Sequence, residues 1–337
     1  MNILLTGGTG YIGSHTAVDL LSKGYEVTIL DNLSNSKKDI VKQITNISGS
    51  DKLKFYRGDL RFKNTIDKAF EENDIESVIH FASLKSLPES VSNPFEYYEN
   101  NLIGFLNLLD KMKENSIKNI IFSSSASVYS QDSTSPISED SPIHPHNPYA
   151  NTKIIIEQII YDAWKGGIIE KGINLRYFNP VGAHESSLIG ENPLNVPTNI
   201  MPVICRVANR LQPNLEIFGD NYPTKDGTGI RDFIHIQDLS HGHFLALNKI
   251  LSKGNSFNGI ENVNLGTGKG YSVLELVKTF EEVNNIDIPI VIKDRRPGDL
   301  PIVYADPSFA YSFLSWKSER DLKKMCFDSW NWMKNKK

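Results

Sequence analysis

Cysteine, excess charge of either sign and long apolar runs are all scarce in this sequence. The two cysteines, Cys205 and Cys326, lie far apart and lack the spacing of a metal-binding or redox motif, which excludes a disulfide framework and favours a reducing compartment. A net charge of −4 gives no general attraction to nucleic acid or to a membrane surface. An anionic ligand must therefore be held by locally placed arginines or helix ends.

No apolar run approaches the ~20 residues of a membrane span, and no basic segment precedes the first apolar residues as it would in a secretory signal. The pairs His144/His146 and His241/His243 have no convincing third ligand, so we expect no metal. With 337 residues and a hydrophobic fraction of 39%, the chain suits one large domain or two closely packed ones. We expect a cytoplasmic protein that binds neither nucleic acid nor a membrane.

The N-terminal stretch predicts a dinucleotide-binding corner. An apolar strand breaks into closely spaced glycines and then into an apolar-periodic helix. Gly7, Gly10 and Gly13 suit the unusual backbone angles of the turn, close approach to a pyrophosphate and tight packing of helix on strand. The N–H groups and positive dipole end of the helix then face the phosphates. A second apolar strand ends in Asp31, 18 residues after Gly13, where an acid binds the adenosine ribose and repels a 2′-phosphate, so the pattern predicts NAD rather than NADP.

Strands and helices continue to alternate through the first half of the chain. This alternation predicts an α/β fold with a Rossmann-type, doubly wound parallel sheet. Ligands of such sheets bind at the carboxyl ends of the strands. Asp59 follows one strand, where it either contacts the adenine amino group or caps a helix. Phe81 and Ala82 end another strand, and the serines 123–125 end the next. One sheet edge is therefore expected to carry both cofactor and chemistry.

The stretch around residue 149 predicts a catalytic pair. Asn147 is a suitable N-cap and Pro148 suits the first helical position, so a mostly buried helix begins here. Tyr149 and Lys153 then lie one turn apart on the same face. Because a nearby ammonium and the positive ring of an oxidised nicotinamide both favour the phenolate, Tyr149 can remove a hydroxyl proton near neutral pH. Ser125 could donate or relay a hydrogen bond to the same substrate oxygen. Tyr-x-x-x-Lys also occurs by chance on helix surfaces, but its place behind a dinucleotide corner favours an oxidoreductase-type site.

Together the glycine corner, the acid, the serine run and the Tyr-x-x-x-Lys pair resemble the extended short-chain dehydrogenase/reductase family. Further stretches narrow the resemblance to its UDP-glucose 4-epimerases and extend it over nearly the whole chain: 6–15, 30–36, 80–82, 176–184, 226–235 and 295–301. The resemblance implies reversible, NAD-dependent epimerisation at C4 of UDP-galactose and UDP-glucose through a 4-keto intermediate. Such a cycle consumes no oxidant, so it also implies NAD that stays tightly bound in its oxidised form. A homodimer through helices near 94–113 and 148–165 is implied as well.

The resemblance also assigns roles to individual residues. The catalytic residues are Tyr149, Lys153 and Ser125. The cofactor contacts are Gly7, Gly10, Tyr11, Ile12, Gly13, Asp31, Asn32, Asn35, Ser36, Asp59, Leu60, Phe81, Ala82, Lys85, Asn100, Tyr149, Lys153 and Tyr177. The contacts to the UDP-hexose are Ser125, Tyr149, Phe178, Asn179, Asn199, Ile200, Phe218, Arg231, Arg296, Asp299 and Val303.

The second half of the chain is predicted to form a substrate-binding lobe. The alternation loosens there into a mixed α/β region with a helix near 198–210 and short strands near 216–218 and 231–236. Arg231 and Arg296 are the candidates for the diphosphate, because a guanidinium fork matches phosphate oxygens and is always charged. We predict a NAD-binding Rossmann domain over 1–179 and a smaller UDP-sugar-binding lobe over 180–337, with the chain free to cross back between them.

Several positions depart from the family's usual pattern. Ser83 replaces a common glycine, Ser86-Leu87-Pro88 replaces a small Ala-Val-Gly segment, and Ala150-Asn151-Thr152 replaces Gly-Lys-Ser between the catalytic pair. The first two flank the nicotinamide and sugar, so they bear on sugar preference and rate more than on reaction type. Val303 stands where the family controls room for a 2-acetamido group. A small valine there predicts that UDP-GalNAc and UDP-GlcNAc are also interconverted.

Other functions remain open on the same scaffold. A nucleotide-sugar 4,6-dehydratase usually carries an Asp-Glu pair after its active-site Ser or Thr, whereas this chain has Ser125-Ala126-Ser127. A UDP-glucuronate decarboxylase is a second alternative. A non-catalytic NAD-sensing regulator is a third, against which the presence of both Tyr149 and Lys153 argues.

Overall fold

The computed structural model describes residues 1–194, 197–252, 257–296 and 298–336. Its strands, in chain order, are β1 (Asn2–Thr6), β2 (Glu26–Asp31), β3 (Leu53–Arg57), β4 (Ile75–His80), β5 (Asn119–Ser125), β6 (Lys171–Tyr177), β7 (Asn179–Val181), β8 (Leu215–Phe218), β9 (Ile230–Arg231), β10 (Phe233–His235), β11 (Gly259–Leu265), β12 (Tyr271–Ser272), β13 (Ile290–Lys293) and β14 (Ile302–Val303). The α-helices are α1 (Tyr11–Ser22), α2 (Asp39–Ser48), α3 (Asp67–Glu71), α4 (Leu87–Ser92), α5 (Pro94–Tyr98), α6 (Gly104–Glu114), α7 (Pro148–Lys165), α8 (Ile200–Ala208), α9 (Ile236–Leu251), α10 (Val273–Asn284), α11 (Ser308–Leu314) and α12 (Leu322–Asn335).

The chain forms two compact units, each assembled from separate segments. The first unit comprises Met1–Ser130, Ile143–Arg176 and Ser240–Val263. The second comprises Gln131–Pro142, Tyr177–Leu239 and Asn264–Lys337. The chain therefore passes between the units several times, with one passage at Tyr177, close to the boundary predicted after residue 179.

A seven-stranded sheet organises the first unit, in the order β3-β2-β1-β4-β5-β6-β11. The pairs from β3 through β5 are parallel, as the alternation of strands and helices predicts. The chain runs outward from β1 in one direction through β2 and β3, and in the other through β4 and β5. The carboxyl ends of β1 and β4 therefore flank the point where the strand order reverses, which is where open α/β sheets bind ligands. The predicted Rossmann-type fold is confirmed.

The core of the first unit lies between this sheet and its helices. Leu4, Val78 and Ile120 of the sheet are fully buried, as are Phe105 of α6 and Ile156 of α7. Removing such side chains from water contributes ~2 kcal/mol each. This packing fixes α7, and with it the Tyr-x-x-x-Lys pair, against the sheet.

The helix predicted over 94–113 is interrupted in the structure. It consists of α5, a π-helical turn over Glu99–Ile103 and α6. The wider turn includes Asn101, which is 1% exposed and bonds to neighbouring backbone and side-chain groups. Sequence periodicity does not reveal such a turn, because one inserted residue barely changes the apolar pattern.

The second unit is smaller and mixed. It contains the sheets β7·β10, β8·β13 and β9·β12·β14, and its core joins helices α8, α10 and α12 through buried residues such as Ile204, Phe280 and Met325. The predicted helix near 198–210 is α8, which begins at Ile200. Over the residues described in both units, no helix has the length and apolar character needed to cross a membrane.

Candidate active site

The glycine turn after β1 is shaped by close backbone packing. Gly7 has a φ of +71°, and a Cβ placed on it would lie 2.7 Å from the backbone nitrogen of Ala82. A Cβ on Gly13 would lie 2.5 Å from the carbonyl oxygen of Gly7, so α1 can approach the turn only with glycine there. Gly10 precedes α1, whose first turn begins with Tyr11 and Ile12. Among the described residues no side chain caps this helix end, and its first turn is free of acidic residues. The turn thus fits a pyrophosphate against the helix N-terminus.

Asp31 holds the loops around the end of β2. Its carboxylate is 9% exposed and accepts hydrogen bonds from the backbone N–H groups of Thr9 (3.1 Å) and Leu33 (2.8 Å). The hydroxyls of Thr9 and Ser36 lie 2.6 Å apart and tie the second loop to the glycine turn. The carboxylate is therefore fixed beside the glycine turn, where a dinucleotide's adenosine ribose would lie. Asn35 occupies the same loop.

Asp59 is paired with a neighbour that the sequence analysis did not consider. Its carboxylate accepts hydrogen bonds from Nε (3.1 Å) and Nη2 (2.8 Å) of Arg61, and one from Nδ2 of Asn32 (3.1 Å). The hydrogen bonds from Arg61 lower the pKa of Asp59 to about 2. The short helix that follows begins after Phe62 without a side-chain cap in the described structure, so Asp59 does not cap it. Leu60, next in the chain, is buried.

The loop after β4 is anchored by Asn101, a residue that sequence reasoning missed. Oδ1 of Asn101 accepts the backbone N–H of Leu84 (2.9 Å), and its Nδ2 donates to the Leu84 carbonyl (3.2 Å) and to Oγ1 of Thr152 (3.0 Å). Asn100 donates to the same Asn101 oxygen at 3.0 Å. Asn101 thus ties the loop that carries Lys85 to α7, within the segment between the two catalytic candidates. The adjacent pair Asn100-Asn101 was the available signal.

Phe81 and Ala82 lie where β4 ends. The N–H of Phe81 donates to the carbonyl of Thr6 at 2.9 Å, which extends the pairing with β1. The ring of Phe81 lies 4.9 Å from that of His243, while Ala82 faces Gly7. The strand end therefore borders the glycine turn, as predicted.

Helix α7 presents the catalytic candidates. Asn147 caps it by accepting the N–H of Ala150 at 2.9 Å, and Pro148 is its first residue, both as predicted. Nζ of Lys153 lies 5.6 Å from the ring centre of Tyr149 and donates to the carbonyl of Ser123 at 2.7 Å. Tyr149 is 9% exposed and Lys153 is 2% exposed. The pair therefore lies buried beside the carboxyl end of β5.

Burial dominates the electrostatics of this pair. Burial raises the pKa of the Tyr149 phenol, and a hydrogen bond with Ser125 opposes that rise. Burial also lowers the pKa of Lys153 to about 7, against the attraction of Glu157. In the protein alone, desolvation thus works against the phenolate that the sequence analysis expected. The physical reason is that losing water costs the charged form of each group.

In the second unit, predicted substrate residues form one group at β9 and another at the end of β8. Arg231 forms an ion pair with Asp299, and Val303 pairs with Arg231 across β14 and β9. The guanidinium of Arg296 lies 3.9 Å from the ring centre of Phe218 at the end of β8. The structure thus brings two cations, one carboxylate and one ring into one unit.

The remaining predicted residues of this unit lie at α8, at the end of β6 and on β7. Asn199 immediately precedes α8, whose first residue is Ile200, and its Nδ2 donates to Glu191 at 2.6 Å. Tyr177 and Phe178 are buried at the end of β6. Asn179 begins β7, and its N–H donates to the carbonyl of Asp232 at 3.0 Å.

Sequence reasoning also missed a buried ion pair behind the catalytic candidates. Glu157 and Arg176 are 5% and 2% exposed, and Nη2 of Arg176 lies 2.6 Å from Oε2 of Glu157. The spacing of Glu157 four residues after Lys153 was the available signal. In the described part of the chain, no group of three or more His, Cys, Asp or Glu side chains is placed to hold a metal ion.

Comparison with known proteins agrees with this geometry. A family model described as GDP-mannose 4,6 dehydratase matches residues 4–328. A protein named UDP-glucose 4-epimerase from Bacillus subtilis is 50% identical over 332 residues, which cover 98% of this chain and 96% of that protein. The fold of the present chain matches that of the UDP-glucose 4-epimerase from Bifidobacterium longum, solved in complex with NAD+ and UDP. The TM-score is 0.94, the identity is 44%, and the match covers 100% of this chain and 99% of the other. The enzyme of Stenotrophomonas maltophila, solved with NAD and formylated UDP-arabinopyranose, matches with a TM-score of 0.94, 42% identity and coverage of 99% and 98%. By these matches the chain belongs to the family of nucleotide-sugar enzymes that the family model represents and, within it, to the UDP-glucose 4-epimerases.

Proposed function

We propose that this chain is an NAD-dependent epimerase that inverts C4 of UDP-galactose and UDP-glucose. The observation that carries the proposal is the placement of Tyr149: its phenol bonds to Ser125 and lies one turn from Lys153, at the carboxyl end of β5. That arrangement occurs in a chain half identical to a named UDP-glucose 4-epimerase. The glycine turn and Asp31 fit NAD, because a 2′-phosphate would meet a fixed carboxylate.

In the proposed cycle Tyr149 moves one proton. Its phenolate accepts the proton of the 4-hydroxyl as the C4–H bond breaks, which leaves a carbonyl at C4. NAD, held by the glycine turn and Asp31, would supply the hydride acceptor for C4, and its positive ring would favour the Tyr149 phenolate. The 4-keto sugar turns over within the site, so its opposite face is then open to reduction, and Tyr149 gives its proton back to the oxygen. Ser125 donates a hydrogen bond to that oxygen, and Lys153 supports the phenolate.

The second unit supplies the groups for the nucleotide. Arg231 and Arg296 bind the diphosphate, Phe218 stacks on the uracil, and Asp299 accepts hydrogen bonds from the uridine ribose. Asn179, Asn199 and Ile200 line the same ligand, with Phe178 beside them. Guanidinium groups suit this role because they stay charged and match phosphate oxygens in pairs.

Val303 supports a wider sugar range. A valine on β14 leaves more room than a tyrosine for a 2-acetamido group, so the enzyme also interconverts UDP-GalNAc and UDP-GlcNAc. Val303→Tyr should remove that activity and keep the activity on UDP-galactose. Loss of both activities in this variant would contradict a selective role.

Exposed apolar side chains support a homodimer. Phe95 on α5 is 86% exposed, and Leu106 on α6 and Tyr161 on α7 are 47% and 42% exposed. Apolar surface of this extent on neighbouring helices suits a self-complementary interface. We expect the wild type to sediment at twice the mass of one chain. The Phe95→Asp variant should sediment at the mass of one chain.

The dehydratase alternative is weaker. The family model's description names such an enzyme, but Ala126 and Ser127 follow Ser125 in a short helical turn. Neither can exchange protons with C5 and C6 of the sugar, whereas an Asp-Glu pair can. We therefore place the chemistry at C4 alone.

The test is turnover without added cofactor. The purified protein is incubated with UDP-galactose and separately with UDP-N-acetylgalactosamine, and the sugar nucleotides are resolved by chromatography. Conversion to the gluco epimers is expected from the wild type and from Tyr161→Phe, an exposed tyrosine on the same helix. Tyr149→Phe should keep its NAD content and lose turnover by at least about 100-fold. Turnover by Tyr149→Phe, or none by the wild type after NAD is supplied, would overturn the proposal.

A further inference from the structure

Three residues of α7 face three consecutive serines at the end of β5. Tyr149, Lys153 and Glu157 recur every four residues, so they lie along one face of the helix. Tyr149 bonds to Ser125, Nζ of Lys153 donates to the carbonyl of Ser123, and Oγ of Ser124 donates to Oε1 of Glu157 at 2.5 Å. Glu157 is thus part of the same contact as the catalytic pair, although it lies too deep to meet a substrate.

Glu157 is held in turn by Arg176 of β6. Nε of Arg176 donates to Oε1 of Glu157 at 3.0 Å and Nη2 to Oε2 at 2.6 Å, while Nη1 donates to the hydroxyl of Tyr129 at 3.0 Å. Ser124 and Tyr129 are 1% and 3% exposed. A two-pronged contact between a carboxylate and a guanidinium fixes both groups in orientation as well as in distance.

Several charged or titratable groups surround Lys153. Glu157 and Tyr149 face it from its own helix, and His80 interacts with it from β4. Arg176 of β6 is bonded to Glu157. Burial and Lys153 together lower the pKa of His80 to about 3, so that side chain is neutral. Phe122 contributes its ring, 4.9 Å from Nζ. Glu157 is therefore the negative charge on which the Lys153 ammonium depends.

We propose that Glu157 and Arg176 are positioning residues of the active site. Glu157 keeps the Lys153 amino group charged and against Ser123, and Arg176 orients the Glu157 carboxylate and limits the effect of its negative charge. The inference rests on the proposed function, since it gives Lys153 its role toward Tyr149. Through Ser124 the same pair fixes the strand end that carries Ser125. The pair thus supports the proton transfer without touching the substrate.

The test follows the charge of Lys153 directly. The holoenzyme is labelled with [13Cε]lysine, and the Lys153 signal is assigned by its loss in Lys153→Met. Its titration midpoint should fall by about one pH unit in Glu157→Gln and rise in Arg176→Gln, because the first removes a neighbouring negative charge and the second leaves it unpaired. Arg176→Lys keeps the charge and should leave the midpoint near that of the wild type. The alkaline limb of the kcat profile should move with the midpoint in each variant.

Either single variant leaves a buried charge without its partner and is expected to lose stability. The double variant Glu157→Gln/Arg176→Gln removes both charges, so the Lys153 midpoint can still be measured in it if a single variant fails to fold. It should fold and titrate with a lower midpoint than the wild type, since Lys153 then lacks its negative neighbour. Glu170→Gln is the matched control, because Glu170 forms an exposed ion pair with Lys118, and it should change nothing.

Midpoints that stay unchanged, or that move in the same direction in both single variants, would show a purely structural pair and overturn the inference. The titration needs no turnover. A protein that converted no UDP-sugar would therefore refute the proposed function while the Lys153 midpoints were still measured, so the two failures are distinguishable.

Discussion

Arg231 and Asp299 form an ion pair within the second unit, between β9 and the segment that precedes β14. Their side chains are 18% and 33% exposed. Nη1 of Arg231 also donates to the carbonyl of Ile230 at 2.8 Å. The guanidinium that we assign to the diphosphate is therefore oriented by the carboxylate that we assign to the ribose.

Arg231→Met should weaken UDP binding by about 10- to 100-fold, which corresponds to the ~1.5–3 kcal/mol of a hydrogen bond to a charged group. Calorimetric titration with UDP measures this change, and the bound NAD content should stay constant. Arg210→Met changes an exposed arginine of the same unit and serves as control. UDP affinity equal to that of the wild type would exclude Arg231 from the diphosphate site.

Substitutions of the neighbours Arg295 and Arg296 should have clearly different effects on the KM for UDP-galactose. Arg296 lies over Phe218, whereas Arg295 lies over the ring of Tyr222 and donates to Oδ1 of Asn221 at 2.6 Å. We expect Arg296→Met to raise the KM for UDP-galactose about tenfold or more, because a phosphate contact is lost. Arg295→Met should raise it far less. Equal increases of KM in the two variants, measured by steady-state kinetics, would contradict a phosphate contact specific to Arg296.

Gly13→Ala should impair folding and NAD retention together. The added methyl would meet the carbonyl oxygen of Gly7 at 2.5 Å, and such overpacking costs about 1–3 kcal/mol. Gly166→Ala is the control, because its Cβ would meet nothing closer than 3.4 Å and its backbone is right-handed. The measurements are urea unfolding and the NAD released by heat. Normal NAD content in Gly13→Ala would count against a tight cofactor turn.

The stability of the protein should depend on pH through His80. Burial lowers the pKa of His80 from 6.5 to about 3, so between these values the unfolded chain binds a proton that the folded chain does not. The stabilisation is complete above pH 6.5 and is lost as the pH falls toward 3, at ~1.4 kcal/mol per pH unit. His80→Leu should show a shallower fall in the free energy of unfolding between pH 6 and 4.

The control for His80 compares the same two proteins, wild type and His80→Leu, at alkaline pH. His80 is neutral in both folded and unfolded states between pH 7.5 and 8.5, so wild type and His80→Leu should there change in parallel. Nδ1 of His80 lies 2.7 Å from Oγ1 of Thr6, and loss of that bond lowers the variant's stability equally at each pH in that range. Identical acid slopes in the two proteins would contradict the burial effect.

Local features of the site were predictable from sequence because their geometry is set within a few residues. The cap at Asn147 and the one-turn spacing of Tyr149 and Lys153 follow from helix geometry. The glycine turn follows from a backbone conformation that few other residues adopt. The roles of these residues toward cofactor and sugar stay predictions, which the experiments above address.

Contacts that depend on side-chain orientation were beyond sequence reasoning. They include the pair of Asp59 with Arg61, the anchoring of the loop after β4 by Asn101 and the bond between Glu157 and Arg176. The π-helical turn was also missed, since an inserted residue leaves the apolar pattern nearly intact.

The sequence by itself determined the parallel sheet, the glycine turn and the order in which Asp31, the serines and α7 reach one sheet edge, because strand and helix periods are local properties. Only the tertiary structure decided that Gln131–Pro142 belongs to the second unit and Ser240–Val263 to the first. It also decided the charge balance at Tyr149 and Lys153. That balance is set by desolvation and by Glu157, and desolvation exists only once the chain has packed around the two groups.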